Sequence, residues 1–237
     1  MQKSKVNILS TRPVGKALIE EAAMHNIIID EISFINTEEI IDSAIANKIE
    51  RLSHENINAV FTSMNAVQAV RKFIPSNSSW KIFCIGNTTK KLLKNIFGAE
   101  SIAGTGDNAL YLAENIISHT TIKKVYFFCG DQRRDELPVK LKDNNVEIEE
   151  LVVYKTKQTP QVITKKYDGI LFFSPSAVQS FFSKNSIQRN TQVFAIGSTT
   201  ANAVKPFTQQ HVITADMQGK KNLVSQAINY FSKPQIS

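Results

Sequence analysis

Four turns between predicted strands and helices carry small hydroxyl, amide and glycine residues that can bind anions. Two of these turns contain hydroxyls, and two begin with glycine: Thr62-Ser63, Ser174-Pro175-Ser176, Gly86-Asn87-Thr88 and Gly197-Ser198-Thr199. Backbone N–H groups at the start of a helix, beside small hydroxyl side chains, can bind a carboxylate or a phosphate. The same residues also serve as ordinary helix caps with nothing bound, so a single turn leaves both interpretations open.

Arginines follow two predicted strands at turns of the same kind. Arg12 lies between Thr11 and Pro13, and Arg133 and Arg134 follow the strand that ends near Gly130. A guanidinium group suits bidentate recognition of a carboxylate. Two solvated arginines in the first turn of a helix explain the second pair equally well.

The remaining chemical motifs are weak. Gly104-Thr105-Gly106-Asp107, just before Asn108, is either a phosphate loop or a turn with an Asp or Asn cap, and the chain has no P-loop or dinucleotide-binding sequence. The four histidines have no partner at metal-ligand spacing, so no zinc site is expected. Cys84 and Cys129 lie in apolar, strand-like runs, which favours buried core thiols over a disulfide or a catalytic thiol.

The elements that position these turns follow the alternating pattern of parallel α/β folds. Predicted strands cover residues 5–10, 27–35, 57–62, 82–86, 124–129, 146–154, 169–173, 193–197 and 211–214. Predicted helices cover residues 14–25, 43–52, 66–73, 88–97, 109–118, 134–143, 177–185, 199–207 and 221–231.

An internal repeat relates the two halves of the chain. Two pairs of segments match at an offset of 111 residues: 61–68 with 172–179, and 82–89 with 193–200. With small gaps the correspondence extends to two further pairs: 26–37 with 145–156, and 108–118 with 222–232. The sequence therefore predicts two similar α/β units rather than one domain.

Composition excludes several classes of protein. Of 237 residues, 42% are apolar and 21% are charged, which excludes a disordered, collagen-like or coiled-coil chain. No apolar run approaches the roughly 20 residues of a membrane helix, and the N-terminus lacks a leader pattern. We therefore expect a soluble, cytoplasmic protein with no membrane partner. The net charge of +7 is not arranged as basic residues interleaved with aromatics, so no nucleic-acid partner is expected.

Taken together and in chain order, these motifs resemble those of the uroporphyrinogen-III synthase family. The resemblance spans nearly the whole chain, and it is specific as a set although each motif alone is weak. It is carried by Thr11-Arg12-Pro13, Phe61-Thr62-Ser63, Ile85-Gly86-Asn87-Thr88-Thr89, Cys129-Gly130-Asp131-Gln132-Arg133-Arg134, Val153-Tyr154-Lys155-Thr156, Phe172-Phe173-Ser174-Pro175-Ser176-Ala177 and Ala195-Ile196-Gly197-Ser198-Thr199-Thr200-Ala201.

The resemblance implies a particular domain organisation. Each of two domains would be a parallel-sheet, flavodoxin-like α/β unit, with the active site in the cleft between them. Residues 1–35 and 156–237 would form a discontinuous domain, and residues 36–155 an inserted one. Residues 33–37 and 152–156 would form a two-stranded β linker. The repeat alone would instead divide the chain near residue 120.

The resemblance also implies a reaction and the residues that carry it. Family members cyclise hydroxymethylbilane, an octacarboxylate, to uroporphyrinogen III with loss of water and inversion of the fourth ring; a monomer without a cofactor is expected. Tyr154 would be an acid that assists departure of the hydroxyl, or would only pack in the linker and hydrogen-bond the substrate. The predicted substrate-binding residues are Arg12, Thr62, Ser63, Asn65, Gly86, Asn87, Thr88, Asn108, Gly130, Arg133, Arg134, Ser174, Ser176, Gly197, Ser198 and Thr199.

The charge is divided unequally between the two predicted domains. Residues 36–155 contain 15 basic and 15 acidic residues, whereas the rest of the chain contains 13 basic and 6 acidic residues. We therefore expect the discontinuous domain to supply most of the attraction for an anionic substrate. The alternative is a non-catalytic, tetrapyrrole- or anion-binding regulatory module on the same duplicated scaffold.

Overall fold

Strands rich in β-branched and aromatic residues alternate with helices along the chain, as predicted. The computed structural model describes residues 5–75, 77–217 and 219–233. Within those ranges the strands are β1 (Val6–Ser10), β2 (Ile27–Glu31), β3 (Ile35–Glu39), β4 (Asn58–Phe61), β5 (Lys81–Ile85), β6 (Ile102–Gly106), β7 (Lys124–Gly130), β8 (Glu147–Gln158), β9 (Gly169–Phe172), β10 (Gln192–Ala195) and β11 (Val212–Thr214).

The helices lie close to their predicted positions. They are α1 (Lys16–Met24), α2 (Ser43–Ser53), α3 (Met64–Val70), α4 (Asn87–Phe97), α5 (Ala109–Ser118), α6 (Glu136–Lys142), α7 (Pro175–Phe182), α8 (Ser198–Val204) and α9 (Lys220–Ser232). Short 3-10 turns follow α3 and α8, at Arg71–Phe73 and Lys205–Phe207. Among the described helices, none is long and apolar enough to cross a membrane.

The chain forms two compact units. The discontinuous unit comprises Met1–Asn36 and Lys157–Ser237, and the inserted unit comprises Thr37–Thr156. The chain passes between them within β3 and within β8, which are neighbours in one sheet. Backbone hydrogen bonds flank each passage, from Ile40 N–H to the Val153 carbonyl (3.1 Å) and from Thr159 N–H to the Phe34 carbonyl (2.9 Å).

The two sheets share one strand arrangement. The discontinuous unit has the order β2-β1-β9-β10-β11, with every pair parallel. This is the 2-1-3-4-5 order of flavodoxin-like folds. The inserted unit has the order β3-β8-β7-β4-β5-β6, with parallel pairs from β8 to β6. The predicted fold class, two parallel-sheet α/β units, is confirmed.

Backbone geometry agrees with the repeat. Among the described residues, the non-glycine positions with positive φ are Asn26 (62°) and Asn145 (59°), each shortly before β2 or β8. These asparagines are equivalent in the repeat, and asparagine tolerates this left-handed conformation better than most residues. Under the same correspondence β8 matches β2, β4 matches β9 and β5 matches β10, so equivalent strands occupy equivalent places in the two sheets.

Each sheet has apolar residues on both faces. In the inserted unit, Phe61 and Cys84 belong to one core cluster, whereas Val60 and Phe83 belong to another. In the discontinuous unit, consecutive residues of β1 and of β9 likewise divide between two clusters. Successive side chains of a strand point to opposite faces. Helices therefore cover both faces, and the polar residues collect at the sheet edges.

Two predictions about local structure are wrong. The predicted strand at 27–35 is two strands, β2 and β3. The predicted helix at 134–143 begins only at Glu136. Strand β6 was not predicted: residues 102–106 pair with β5, and Asn108 then caps α5, which matches the cap alternative for this segment. A Cβ at Gly106 would lie 2.3 Å from the backbone nitrogen of Leu112, so this glycine permits α5 to pack directly against β6.

Candidate active site

The carboxyl ends of the strands in the inserted unit gather several predicted site residues at one edge. Because β4, β5, β7 and β8 are parallel, their carboxyl ends point the same way. Thr62 and Ser63 follow β4, Gly86 follows β5, and Gly130 ends β7 opposite Tyr154 of β8. Residues that are far apart in the sequence therefore meet at this edge.

The hydroxyl group of Tyr154 is held by Ser63. The Ser63 hydroxyl donates a hydrogen bond to the Tyr154 phenol oxygen at 3.1 Å. Ser63 is also the N-cap of α3, where its Oγ accepts from the backbone N–H of Ala66 at 3.3 Å. The start of α3 thus fixes the serine, and the serine in turn fixes the phenol oxygen.

Tyr154 is half-buried and lines a small groove of about 170 Å³ within the inserted unit. The other lining residues come from α3 and from the segment that contains β3: Asn65, Gln68, Ala69, Thr37, Glu38 and Glu39. The Glu39 carboxylate forms an ion pair with Lys72. The groove is therefore polar, and at least one of the two glutamates in its lining is paired with a cation.

The environment of Tyr154 raises the pKa of its phenol. Burial is the largest cause, and negative charge on Cys129 or Asp131 would add to it. Hydrogen bonds with Ser63 and Asn65 act in the opposite direction and offset part of the effect. Since an ordinary tyrosine titrates near pH 10, Tyr154 is a protonated, weak acid at neutral pH.

Gly130 permits the aromatic ring of Tyr154 to lie against the backbone of β7. A Cβ at this position would lie 2.4 Å from Cζ of Tyr154 and 2.8 Å from its hydroxyl oxygen. Real Cβ atoms do not approach other atoms so closely. The glycine is therefore a packing requirement of the tyrosine, in addition to its predicted binding role.

Other predicted site residues of the inserted unit cap its helices. Gly86 is the N-cap of α4, with a φ of 72°, and Asn87 and Thr88 are the first two residues of that helix. Asn108 caps α5, where its Oδ1 accepts from the N–H of Tyr111 at 3.0 Å. These positions match the capping interpretation, and a role in binding stays a prediction.

The structure places Arg133 in internal ion pairs. Its guanidinium contacts the carboxylates of Glu150 and Asp135, and the hydrogen bond with Glu150 is the main reason that the pKa of Arg133 is raised. A substrate carboxylate would have to displace these partners. Arg134 is exposed, and both arginines precede α6, so neither lies in the first turn of that helix.

The discontinuous unit collects its predicted residues at the matching edge of its own sheet. Arg12 follows β1, and its guanidinium lies 5.7 Å from the centre of the Phe173 ring. Ser174 caps α7, and its Oγ accepts from the N–H of Ala177 at 3.2 Å. Ser176 is the second residue of α7. At the start of α8, Gly197 is the N-cap and is followed by Ser198 and Thr199.

Two charged residues at this edge were not predicted. Oε1 of Glu31 accepts hydrogen bonds from the N–H groups of Val14 (2.6 Å) and Gly15 (3.1 Å), so a carboxylate of the protein already binds the residues before α1. Lys220, the first residue of α9, donates to the carbonyl of Pro13 at 3.4 Å. Neither residue lies in a local motif, so only the fold reveals them.

The cysteines are buried core thiols, as predicted. Burial raises the pKa of Cys84 to about 11 and that of Cys129 to about 12, which leaves both thiols protonated and unreactive at neutral pH. Among the described residues, no group of three or more His, Cys, Asp or Glu side chains could hold a metal ion.

The fold and the edge residues define a two-unit, flavodoxin-like α/β protein with a candidate active site around a tyrosine. A structure of mutant uroporphyrinogen III synthase from Thermus thermophilus is 12% identical to it, with a TM-score of 0.62, and the match covers 95% of this chain and 98% of that chain. Uroporphyrinogen-III synthetase from Helicobacter pylori is 15% identical, with a TM-score of 0.67, and the match covers 95% and 99%. These structures establish the likeness in fold.

The sequence itself identifies the family. The family model described as "Uroporphyrinogen-III synthase HemD" matches residues 16–225, which is most of the chain. The chain therefore belongs to the uroporphyrinogen-III synthase family, whose members are enzymes of tetrapyrrole biosynthesis. The resemblance in the motifs is confirmed.

Proposed function

We propose that this protein is a uroporphyrinogen-III synthase, a lyase that converts hydroxymethylbilane to uroporphyrinogen III and water. The ring would close with the fourth pyrrole inverted. The observation that carries the proposal is the half-buried Tyr154 hydroxyl, which Ser63 holds at 3.1 Å beside the groove. Membership of the family supports the reaction class.

The proposed role of Tyr154 is to donate its proton to the departing hydroxyl. The carbon–oxygen bond breaks, the oxygen leaves as water, and a phenolate remains on the protein. The pyrrole carbon that is attacked loses a proton when the ring closes, and this proton restores the phenol, so no proton is gained or lost by the enzyme. The Ser63 hydroxyl already donates to the phenol oxygen and would stabilise the transient phenolate.

The groove suits one end of the substrate rather than the whole molecule. Its volume of about 170 Å³ is smaller than the roughly 300–1,000 Å³ of pockets for drug-sized ligands. Among the described residues, the lining of the groove is polar and includes no cationic side chain, so it suits an uncharged hydroxymethyl group better than a carboxylate arm. The substrate carboxylates would therefore bind elsewhere.

The predicted substrate-binding residues other than Asn65, which lines the groove, and Arg133, which is ion-paired, would hold those carboxylates. The discontinuous unit carries 13 basic and 6 acidic residues, and the inserted unit carries 15 of each, so the attraction would come mainly from the discontinuous unit. Holding a flexible chain in one productive geometry can supply a large share of a rate enhancement. We propose that the protein selects the inverted product mainly in this way.

The decisive experiment is an isomer assay. The purified protein is mixed with freshly made hydroxymethylbilane, and the products are separated by chromatography. The proposal predicts mainly the type III isomer, because uncatalysed closure gives type I without inversion. Recovery of type I alone would refute the proposal and favour the non-catalytic binding module.

A matched pair of variants tests the role of Tyr154. Tyr154→Phe keeps the ring that packs against Gly130 and removes only the hydroxyl. We expect turnover to fall by roughly 100-fold or more if the phenol is the acid. Ser183→Ala is the control, because it removes a hydroxyl that makes only a local bond to the Ser180 carbonyl at 2.7 Å. Equal turnover in the two variants would remove Tyr154 from the mechanism.

A further inference from the structure

Two positive side chains lie together at the carboxyl edge of the discontinuous unit's sheet. Arg12 follows β1 and lies over the Phe173 ring, 5.7 Å from its centre. Lys220 begins α9 and donates a long hydrogen bond, 3.4 Å, to the carbonyl of Pro13, the residue after Arg12. Although Lys220 and Arg12 are 208 positions apart in the chain, α9 therefore brings the Lys220 ammonium to the backbone next to Arg12.

Neither charge is neutralised by a carboxylate contact. Among the described residues, Arg12 and Lys220 form no ion pair within 4.0 Å. Glu31 is the acidic group that faces Lys220, but its carboxylate already accepts two hydrogen bonds from the N–H groups of Val14 and Gly15. The edge thus keeps an excess of positive charge.

The positive charges of Arg12 and Lys220 repel each other. The pKa of Lys220 is lowered first by burial and then by the charge of Arg12, whereas Glu31 opposes the shift. Partial burial of the guanidinium also lowers the pKa of Arg12. Like charges held close together destabilise a fold unless an anion offsets them. An anion from outside the protein would therefore stabilise this pair of cations.

We propose that Arg12 and Lys220 form one site that binds a single carboxylate group of the substrate. The inference rests on the proposed function, which supplies an octacarboxylate. The planar guanidinium can bind a carboxylate with two parallel hydrogen bonds, and the ammonium adds a compact charge beside it. Lys220 thereby becomes a substrate-binding residue.

The test measures binding without turnover. Uroporphyrin III, a stable octacarboxylate tetrapyrrole, is titrated into the full-length protein at constant ionic strength, and its fluorescence reports the dissociation constant. We expect Lys220→Gln to weaken binding about tenfold, which is about 1.4 kcal/mol. Lys220→Arg should retain most of the affinity because it keeps the charge.

The control is the next residue along the same helix. Lys221 is exposed and carries the same charge, so Lys221→Gln measures the effect of net charge alone. If Lys221→Gln and Lys220→Gln weakened binding equally, the site would be refuted. A double variant with Arg12→Gln should lose less than the sum of the two single losses in binding free energy, since both residues bind one carboxylate. Fully additive losses would also refute a shared site.

Failure of the site and failure of the proposed function give different results. If the wild-type protein forms the type III isomer but Lys220→Gln binds uroporphyrin III as tightly as wild type, the site is wrong and the function stands. If only the type I isomer is formed but Lys220→Gln still weakens binding selectively, the carboxylate site stands and the enzymatic function is wrong.

Discussion

Gly130→Ala should disable Tyr154 without removing any atom from it. The new Cβ would lie 2.4 Å from the tyrosine Cζ, whereas an ordinary contact is 3.4 Å or more, so the ring must move by about 1 Å. The bond between Ser63 and the phenol oxygen is 3.1 Å long. A displacement of that size would stretch it to roughly 4 Å, beyond the hydrogen-bonding range.

The expected effect on turnover is larger than the effect on stability. Overpacking of this kind costs about 1–3 kcal/mol of unfolding free energy. A misplacement of about 1 Å in a catalytic group can lower turnover by roughly 100-fold. Turnover is measured by the isomer assay and stability by urea unfolding, both at a temperature where the variant is folded.

Gly104→Ala separates misplacement of Tyr154 from general destabilisation. A Cβ there would clash with Asn115 at 1.9 Å and with Phe83 at 2.7 Å, in the same unit but away from the groove. This variant should lose stability and keep its turnover while folded. Our reasoning is refuted if Gly130→Ala retains wild-type turnover, or if the two variants lose turnover equally.

Two further predictions concern stability. Gly86 has φ 72° and ψ 163°, a region nearly exclusive to glycine, whereas its repeat equivalent Gly197 is extended at φ −178°. Gly86→Ala should therefore lower the free energy of unfolding by about 1–3 kcal/mol and Gly197→Ala by much less, which urea titration can measure; equal losses would contradict this. Burial raises the pKa of Cys84 to about 11 and of Cys129 to about 12 from 9.0, so above pH 9 the unfolded state loses these protons first. The contribution of the two thiols to the free energy of unfolding should be unchanged below pH 9 and should fall by about 1.4 kcal/mol per pH unit for each thiol up to pH 11. Alanine variants that kept the same dependence of stability on pH would contradict this reasoning.

The regular elements could be predicted from the sequence where local signals agree. Helix α5 runs from Ala109 to Ser118 as predicted, because an asparagine cap precedes a clear amphipathic pattern. Strand β6 was missed because two of its five residues are glycines, which have low strand propensity. Its pairing with β5 and its contact with α5 are tertiary interactions, and these override that propensity.

The candidate site depends on contacts that local patterns cannot reveal. Ser63 and Tyr154 are 91 positions apart, and only the family resemblance singled out the tyrosine. From its sequence context, the Arg133 guanidinium was expected to be available to a ligand. In the structure it forms an ion pair with Glu150, which lies on the neighbouring strand β8. Lys220 reaches Pro13 across 207 positions. Such partners are set by topology, which a single sequence encodes only indirectly.

The chain crosses between the two units twice, within β3 and within β8, so each half of the sequence contributes strands to both sheets. Apart from edge strand β3, the first copy of the repeat supplies β1 and β2 to one sheet and β4 to β6 to the other. The second copy supplies β7 and β8 to the sheet that contains β4 to β6. It supplies β9 to β11 to the sheet that contains β1 and β2. This is the connectivity of a domain-swapped dimer whose two subunits have been fused into one polypeptide. A cut near residue 120 would therefore yield two fragments that complete either sheet only by associating, whereas residues 37–156 contain β4 to β7 and all but the last two residues of β8.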